Sequence, residues 1–242
     1  PRVLINWSQE TIRALRGGAS QQRPDCSSAL HQLGLLNSLD RGLPMAEEQS
    51  GPAAADGVVV AMKGHPGSGK STVARAIASS LRCPLLDKDD VRDCTLHLER
   101  AAAGSGILND LSYAVLWRLA ERQLRLGLSI VVDSPLSRRA HLDALARLPA
   151  ALVIIVECRP GNQDEWRRRL EERGGVLADD GWHKPKTWAD LERLVEGYQG
   201  CTNYDIGDVP RIVVDTTDPT VSTEAIAVRV VDFIRSLLAR AH

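Results

Sequence analysis

Short hydrophobic runs alternate with longer amphipathic segments from position 58 to the end of the chain. The hydrophobic runs are rich in Val, Ile and Leu, which is typical of strands buried in a parallel sheet. They occupy residues 58–62, 84–86, 129–132, 151–156 and 211–214. Between and after them, apolar residues recur at helical spacing over residues 70–82, 107–126, 138–148, 163–173, 188–199 and 221–239. This alternation predicts an α/β fold in which helices cover both faces of a five-stranded parallel sheet.

The first 57 residues follow a different pattern. They contain short clusters of Gly, Gln, Ser and Ala, which bury too little apolar surface to offset the entropy of ordering the chain. We therefore predict a flexible extension over residues 1–57 and one domain over residues 58–242. The first methionine, Met45, is a plausible translation start, so that residues 1–44 are either an extension or a segment similar to a transit peptide.

The overall composition is that of a globular protein, with 43% hydrophobic and 25% charged residues among 242. The longest apolar run, residues 150–156, is far shorter than the roughly 18 to 20 residues that cross a bilayer. We therefore expect no contact with a membrane. The five cysteines are scattered and include no C-x-x-C pair, which favours a reducing compartment. The expected location is the cytoplasm, or an organelle if residues 1–44 direct the protein there.

The formal charge is close to balanced, with 30 basic and 31 acidic residues and a net charge of −1. Five of the basic and six of the acidic residues precede Val58, which leaves 25 of each in the predicted domain. A protein that holds a long polyanion needs an extended basic surface. The balance therefore favours a small ligand and disfavours nucleic acid.

A glycine-rich loop follows the first predicted strand directly and precedes a predicted helix. Its sequence satisfies the pattern G-x-x-x-x-G-K-[ST], in which glycines let backbone N–H groups converge on phosphate oxygens. We expect ATP to bind there, with the Lys70 ammonium on the β- and γ-phosphates and the Ser71 hydroxyl on Mg²⁺. The residues predicted to contact the nucleotide are Gly64, His65, Pro66, Gly67, Ser68, Gly69, Lys70, Ser71 and Thr72.

A charged segment follows the second predicted strand, at the edge where ligands bind in open α/β sheets. Asp89 is a candidate to accept the proton of an acceptor hydroxyl, and Arg92, one helical turn later, to hold an anionic group of the acceptor. The alternative is a helix start whose acidic residues favour the helix dipole, with Arg92 in a surface ion pair. The residues alone do not decide between these interpretations.

The two motifs together resemble a known group of kinases. The loop Gly-x-Pro-Gly-Ser-Gly-Lys-Ser-Thr, followed by Asp-Asp-x-Arg, is similar to the polynucleotide kinase, zeta toxin and chloramphenicol phosphotransferase group of P-loop kinases. Residues 62–67 and 87–93 are also similar to plant P-loop proteins described only by their fold. The resemblance covers residues 58 to about 215 and implies a P-loop NTPase fold. It also implies that Asp89 is the general base and that Arg92 binds the acceptor.

A third motif, after the fourth predicted strand, has the form of a short helical lid. Arg169 and Arg173 lie four residues apart on one helical face, where two guanidinium groups can close over a triphosphate. The resemblance implies that both arginines stabilise the transition state. Gly174 and Gly175 follow directly, and we predict that they form a hinge. The alternative is a solvated helix with Glu–Arg pairs.

The third predicted strand is followed by Asp133, which occupies the Walker B position beside the loop. A carboxylate there can hold Mg²⁺ through water, or orient Arg92 toward the acceptor. Short strands ending in Asp are common, so the order of this motif after the loop is what supports the assignment.

Two further pairs of residues leave their roles open. Arg138 and Arg139 begin a predicted helix, where they can reach an acceptor phosphate or lie exposed in solvent. Thr216 and Thr217 follow the last predicted strand. They can contact the adenine, or belong to a turn that caps the final helix.

Together these features predict an ATP- and Mg²⁺-dependent phosphotransferase that acts on a hydroxyl of a small-molecule or nucleotide-like acceptor. Three alternatives remain. One is a polynucleotide 5′-hydroxyl kinase, which the charge balance disfavours, and another is a regulatory ATPase that has no acceptor. The third is a toxin-like kinase that acts on a nucleotide sugar. The sequence does not indicate the oligomeric state.

Overall fold

The five predicted strands are present in the computed structural model, which describes residues 57–98, 106–176 and 184–241. They are β1 (Val58–Lys63), β2 (Leu85–Asp87), β3 (Ile130–Asp133), β4 (Leu152–Arg159) and β5 (Arg211–Asp215). All neighbours pair in parallel, in the order β2-β3-β1-β4-β5. The α/β prediction with a parallel sheet is therefore confirmed. The predicted extension before residue 57 and the start at Met45 lie outside the described residues.

Seven α-helices connect and follow the strands within the described residues. They are α1 (Lys70–Leu81), α2 (Lys88–Cys94), α3 (Ile107–Arg125), α4 (Arg139–Ala146), α5 (Gln163–Val176), α6 (Trp188–Gly197) and α7 (Thr223–Ala241). Six of them agree closely with the predicted segments, whereas α2 is an addition. Among the described residues, no helix is both long and apolar enough to cross a membrane.

Two hydrophobic layers cover the sheet because successive side chains of a strand point to opposite faces. Val58, Val60 and Met62 of β1 pack in one layer with apolar residues of α1 and α7. Val59 and Ala61 pack in the other layer with α3 and α4. All six residues of β1 are buried, which places the loop that follows this strand at the centre of the sheet edge.

The carboxyl ends of β1, β2 and β3 meet at one edge of the sheet. Asp87 at the end of β2 is the register partner of Asp133 at the end of β3, and β3 also pairs with β1. The order of the strands therefore brings the glycine-rich loop, Asp87 and Asp133 together, although 69 positions separate Gly64 from Asp133 along the chain.

Candidate active site

The glycine-rich loop turns the chain from β1 into α1. Gly67 has φ 73° and Gly69 has φ 83°, a left-handed conformation that glycine adopts without steric cost. A Cβ at Gly67 would also lie 2.8 Å from Leu170 Cδ1, so this position needs glycine for space as well. Successive N–H groups in such a loop form a nest for an anion, at the N-terminus of α1.

The side chains that leave the loop toward α1 line a large cleft. Lys70, Ser71 and Thr72 are among its lining residues. The Lys70 ammonium donates a hydrogen bond of 2.9 Å to the carbonyl oxygen of His65. Burial lowers the pKa of Lys70, and the negative charge of Asp133 opposes that shift. The lysine is therefore placed beside both the loop and a carboxylate.

The predicted nucleotide-contacting residues divide between two sides of the loop. Gly64 and His65 line a smaller cavity of about 290 Å³, although Pro66 lines both cavities. The His65 ring is in a stacked orientation with two other rings, and its centroid lies 6.2 Å from that of Trp166 and 6.4 Å from that of Tyr198. Ser68 is buried within the loop.

A buried carboxylate lies where β3 ends. Asp133 is 3% exposed, and its Oδ2 atom has no hydrogen-bond partner among the described residues. Burial raises the pKa of Asp133, while the charge of Lys70 and the hydroxyl of Ser71 lower it. A buried carboxylate oxygen beside a hydroxyl fits Mg²⁺, which takes only one or two protein ligands when phosphates and water supply the rest. The described residues form no cluster of three or more His, Cys, Asp or Glu that could hold a metal by itself.

Helix α2 begins at a side-chain cap. Asp87 Oδ1 accepts a hydrogen bond of 2.8 Å from the backbone N–H of Asp89, which makes Asp87 the N-cap residue. Burial and the nearby charge of Asp133 raise the pKa of Asp87 to about 6. Two of the carboxylates at this edge thus repel each other, and a bound cation would relieve that repulsion.

Asp89 is held between two lysines. Lys88 Nζ lies 3.0 Å from Asp89 Oδ1, and Lys184 Nζ lies 3.2 Å from Asp89 Oδ2. Although burial raises the pKa of Asp89, the two ammonium groups lower it to about 2. The carboxylate is therefore fully ionised at neutral pH, and it faces the same cleft as Lys70.

Arg92 lies one turn after Asp89 on α2 and is only 6% exposed. It lines the cleft, so its position differs from the surface ion pair that the sequence left open as an alternative. The other half of that alternative is present, because a capped helix with Asp89 and Asp90 in its first turn does begin here. The structure thus combines a helix start with a buried arginine in the cleft.

The lid helix α5 packs directly on the glycine-rich loop. The indole N–H of Trp166 donates a hydrogen bond of 3.0 Å to the carbonyl oxygen of Pro66. Leu170, Trp188 and Leu191 form a small buried cluster with Trp166, which joins α5 to α6. The loop, α5 and α6 are therefore in mutual contact beside the cleft.

The predicted hinge of the lid is continuous helix, because α5 extends through Gly174 and Gly175 to Val176. Gly174 has a packing role instead, since a Cβ there would collide with the backbone carbonyl of Lys186. Gly175 has no described neighbour within 4 Å of such a Cβ.

The two predicted lid arginines line the cleft at different places. Arg173 is half-buried and donates to the carbonyl oxygen of Pro185 at 3.5 Å. Burial lowers its pKa, and the charge of Asp89 opposes that shift. Arg169 donates instead to the carbonyl oxygen of Thr216 at 2.6 Å and to Glu165. Arg173 is thus the lid cation that faces the proposed base, whereas Arg169 lies toward the loop after β5.

The loop after β5 lies beside the glycine-rich loop at the edge of the cleft. Thr216 lines the cleft, and its hydroxyl donates a hydrogen bond of 2.8 Å to the carbonyl oxygen of Ser68. Thr217 is buried, and its hydroxyl donates to Asp215 Oδ1 at 2.7 Å. Of this pair only Thr216 borders the cleft, while Ser222 Oγ caps α7 by accepting from the N–H of Ala225.

The cleft has a volume of about 1010 Å³, at the upper end of the roughly 300 to 1,000 Å³ of small-molecule sites. One half holds the glycine-rich loop and the loop after β5. The other half holds α2 and five residues whose role was either not predicted from the sequence or left open. These are Tyr113, Arg138, His141, Lys184 and Tyr198. They come from separate elements, so no local pattern could have indicated them as a group.

The central parallel sheet and the glycine-rich loop between β1 and α1 define a P-loop NTPase fold. Residues 59–196 match the AAA_33 family, which is described as an AAA domain. The match spans more than half of the chain, and the protein belongs to this family.

One curated relative matches part of the chain. A protein of Pyrococcus furiosus, provisionally named an adenylate kinase, is 33% identical over 121 residues, which are 48% of this chain and 56% of that protein. The chain thus spans just over half the length of this curated relative.

Two solved structures share the fold. One is a provisionally named kinase from Chloroflexus aurantiacus, with a TM-score of 0.57, 22% identity, and coverage of 75% of this chain and 98% of that one. The other is a sugar kinase from Janibacter sp. HTCC2649, with a TM-score of 0.51, 18% identity, and coverage of 73% and 94%. Both structures show the same fold as this chain.

Proposed function

We propose that the protein transfers the γ-phosphoryl group of ATP, with Mg²⁺, to a hydroxyl of a small-molecule or nucleotide-like acceptor. The observation that carries this proposal is the single cleft that Lys70 and Asp89 both line. Burial lowers the pKa of Lys70, and the charge of Asp89 is among those that oppose this shift, so the two side chains interact across that cleft. A donor phosphate on one side and an acceptor on the other can therefore meet between them.

The donor half has the parts that hold a triphosphate. The loop of residues 64–72 would bind the phosphates through backbone N–H groups at the N-terminus of α1 and through the Lys70 ammonium. Ser71 and the buried Asp133 would hold Mg²⁺, which neutralises charge that develops on the phosphate oxygens. Arg169 and Thr216 would border the adenine ring, because Arg169 donates a hydrogen bond to the carbonyl oxygen of Thr216 in the loop after β5.

On the acceptor side, Asp89 would orient the acceptor hydroxyl and take its proton. A carboxylate with a pKa of about 2 is a weak base, so it cannot remove the proton before transfer begins. It does not need to, because the transition state of phosphoryl transfer is loose and the hydroxyl loses its proton late. Orientation is therefore the larger part of the role that we assign to Asp89.

Two guanidinium groups would complete the site. Arg173, which interacts with Asp89, would stabilise negative charge on the transferring group. Arg92, buried in the cleft wall, would hold an anionic group of the acceptor. The specific subgroup, with polynucleotide kinases, zeta toxins and chloramphenicol phosphotransferase, remains part of this proposal.

The equal numbers of acidic and basic residues in the domain favour a small acceptor over a polynucleotide. The name of the P. furiosus relative adds AMP to the acceptors that should be tried. A regulatory ATPase without an acceptor would need no carboxylate and no buried arginine opposite the loop, whereas Asp89 and Arg92 both line the cleft.

The test is a screen with the full chain and γ-labelled ATP against sugars, vitamins, nucleosides, nucleotides and short oligonucleotides. Asp89→Asn should reduce acceptor phosphorylation by at least about 100-fold and leave binding of a fluorescent ATP analogue unchanged. The matched control is Asp90→Asn, an exposed carboxylate in the same turn of α2, which should retain both properties. Brisk ATP hydrolysis without any acceptor, unaffected by Asp89→Ala, would contradict the proposal.

A further inference from the structure

Three aromatic rings line the acceptor half of the cleft. Tyr113 of α3 and His141 of α4 stack with ring centroids 3.9 Å apart and an interplanar angle of 23°. Tyr198, at the C-terminal end of α6, lines the same cleft. Flat faces of this kind are suited to a planar ring in a ligand.

The His141 imidazole also offers an atom for hydrogen bonding. Its Nδ1 is buried and has no hydrogen-bond partner among the described residues. Burial and the charge of Arg138 lower the pKa of His141 to about 4, so the ring is neutral at physiological pH. A buried polar atom without a partner is costly, and a ligand that supplies the missing partner would recover that cost.

The adjacent arginines at the start of α4 have different surroundings. Arg139 donates hydrogen bonds of 2.8 Å to Asp143 Oδ1 and to the carbonyl oxygen of Asp205, and it does not line the cleft. Arg138 lines the cleft. Burial raises the pKa of Tyr113 and of Tyr198, and the charge of Arg138 opposes both shifts, whereas it adds to the lowering of the pKa of His141 by burial. Of this pair, Arg138 is therefore the cation placed among the aromatic rings.

Further positive charge lies in the same half. Lys88 and Arg92 are both buried in the cleft wall, and Lys88 Nζ lies 5.9 Å from the centroid of the Tyr113 ring. A cleft that presents aromatic faces together with Lys88, Arg92 and Arg138 matches a ligand that is flat in one part and negatively charged in another. A neutral polyol would use neither feature.

We propose that Arg138, His141 and Tyr113 form a recognition subsite for the acceptor, and that the acceptor carries a heteroaromatic ring and an anionic group, as a nucleoside monophosphate does. This inference rests on the proposed kinase function, because it assigns this half of the cleft to the acceptor. The ring stacks on the Tyr113–His141 pair, a polar group elsewhere on the ligand supplies the partner for His141 Nδ1, and Arg138 binds the anionic group. The cleft has room for this second ligand beside a triphosphate.

The test uses AMP as the probe, with adenosine and ribose 5-phosphate as its two fragments. The full chain is first saturated with Mg²⁺ and adenylyl imidodiphosphate, so that the donor half cannot take the probe. Calorimetry should then show AMP binding at least about tenfold tighter than either fragment, because only AMP has both recognised parts. Absence of AMP binding, or equal binding of ribose 5-phosphate, would overturn the proposal.

Variants assign the contacts. Arg138→Ala should weaken AMP binding at least about tenfold, whereas Arg139→Ala, the adjacent arginine outside the cleft, should leave it unchanged. His141→Ala should remove the preference for AMP over ribose 5-phosphate, and His141→Phe should restore part of it through stacking alone. Equal effects of Arg138→Ala and Arg139→Ala would overturn the assignment.

The two proposals can fail separately. If AMP binds as described and yet ATP phosphorylates no acceptor in the screen, the kinase proposal fails while the subsite stands. If ATP phosphorylates an acceptor whose KM is the same for the protein and for Arg138→Ala, the kinase proposal stands and the subsite fails.

Discussion

Replacing Asp87 with asparagine should stabilise the protein at neutral pH, although it removes a half-buried side-chain charge from the edge of the sheet. Asp87 caps α2 and lies opposite Asp133 in the register of β2 and β3. An asparagine side chain caps a helix about as well as an aspartate. The substitution Asp87→Asn therefore keeps the cap and removes the repulsion between the two carboxylates.

The size of this effect follows from the pKa of Asp87. It rises from 3.8 to about 6 in the folded protein, so the ionised form is disfavoured by folding. Each pKa unit corresponds to about 1.4 kcal/mol, which sets an upper limit of about 3 kcal/mol. Because the side chain keeps partial contact with water, we expect a gain of about 1 to 2 kcal/mol in the free energy of unfolding.

The pH dependence identifies the cause. Below pH 3.8 Asp87 is protonated whether the chain is folded or unfolded, so the variant gains nothing from losing the charge. The advantage of Asp87→Asn grows as pH rises from 3.8 to about 6, and it is complete above that range. Urea denaturation of both proteins at pH 4, 5, 6 and 7.5, without Mg²⁺, measures this. A gain that does not change with pH, or a variant less stable at pH 7.5, would refute the reasoning.

Two further predictions concern the surroundings of the lid. Lys184→Met removes a cation 3.2 Å from Asp89 Oδ2, so the pKa of Asp89 should rise from about 2. The acidic limb of the pH profile of kcat/KM should therefore move to higher pH. An acidic limb at the same pH in both proteins would contradict an ion pair between Lys184 and Asp89. Gly174→Ala forces a Cβ against the carbonyl of Lys186 and should lower the free energy of unfolding by about 1 to 3 kcal/mol, as measured by urea denaturation. Its control, Gly175→Ala, should change stability by less than about 1 kcal/mol or raise it, because alanine favours a helix.

Much of the fold could be predicted because its signals are local. The hydrophobic run that becomes β1 and the glycine-rich loop after it are adjacent in sequence, and α1 begins at the predicted residue, Lys70. The short helix α2 could not be predicted in the same way. Five of its seven residues are charged, so it has no amphipathic repeat, and it depends on the Asp87 cap and on the burial of Arg92.

The candidate site divides along the same line. Three of its residues could be predicted because each belongs to a motif or lies at the end of a strand: Lys70, Asp89 and Asp133. The strand order brings them to one edge of the sheet. The ring pair of Tyr113 and His141 joins two helices that are distant in sequence. These two helices meet because they pack on the same face of the sheet. Sequence periodicity predicts which face of each helix is buried, but it does not predict which residues of two helices touch.

The glycines after the lid motif show a third limit. The sequence suggested a hinge at Gly174 and Gly175 because glycine weakens helices. The structure continues the helix through both, and the reason for Gly174 is the close approach of the Lys186 backbone. A requirement for space created by a segment 12 residues away is not visible in local sequence.

The most direct test of the account is the destination of the labelled γ-phosphoryl group. The full chain is incubated with γ-labelled ATP, Mg²⁺ and the pooled acceptors, and the label in organic products is separated from inorganic phosphate. The account predicts that label appears in an organic acceptor, that Asp89→Asn abolishes its appearance, and that Asp90→Asn does not. Label found only in inorganic phosphate, released at the same rate by the protein and by Asp89→Asn, would contradict a phosphotransferase built around Lys70 and Asp89.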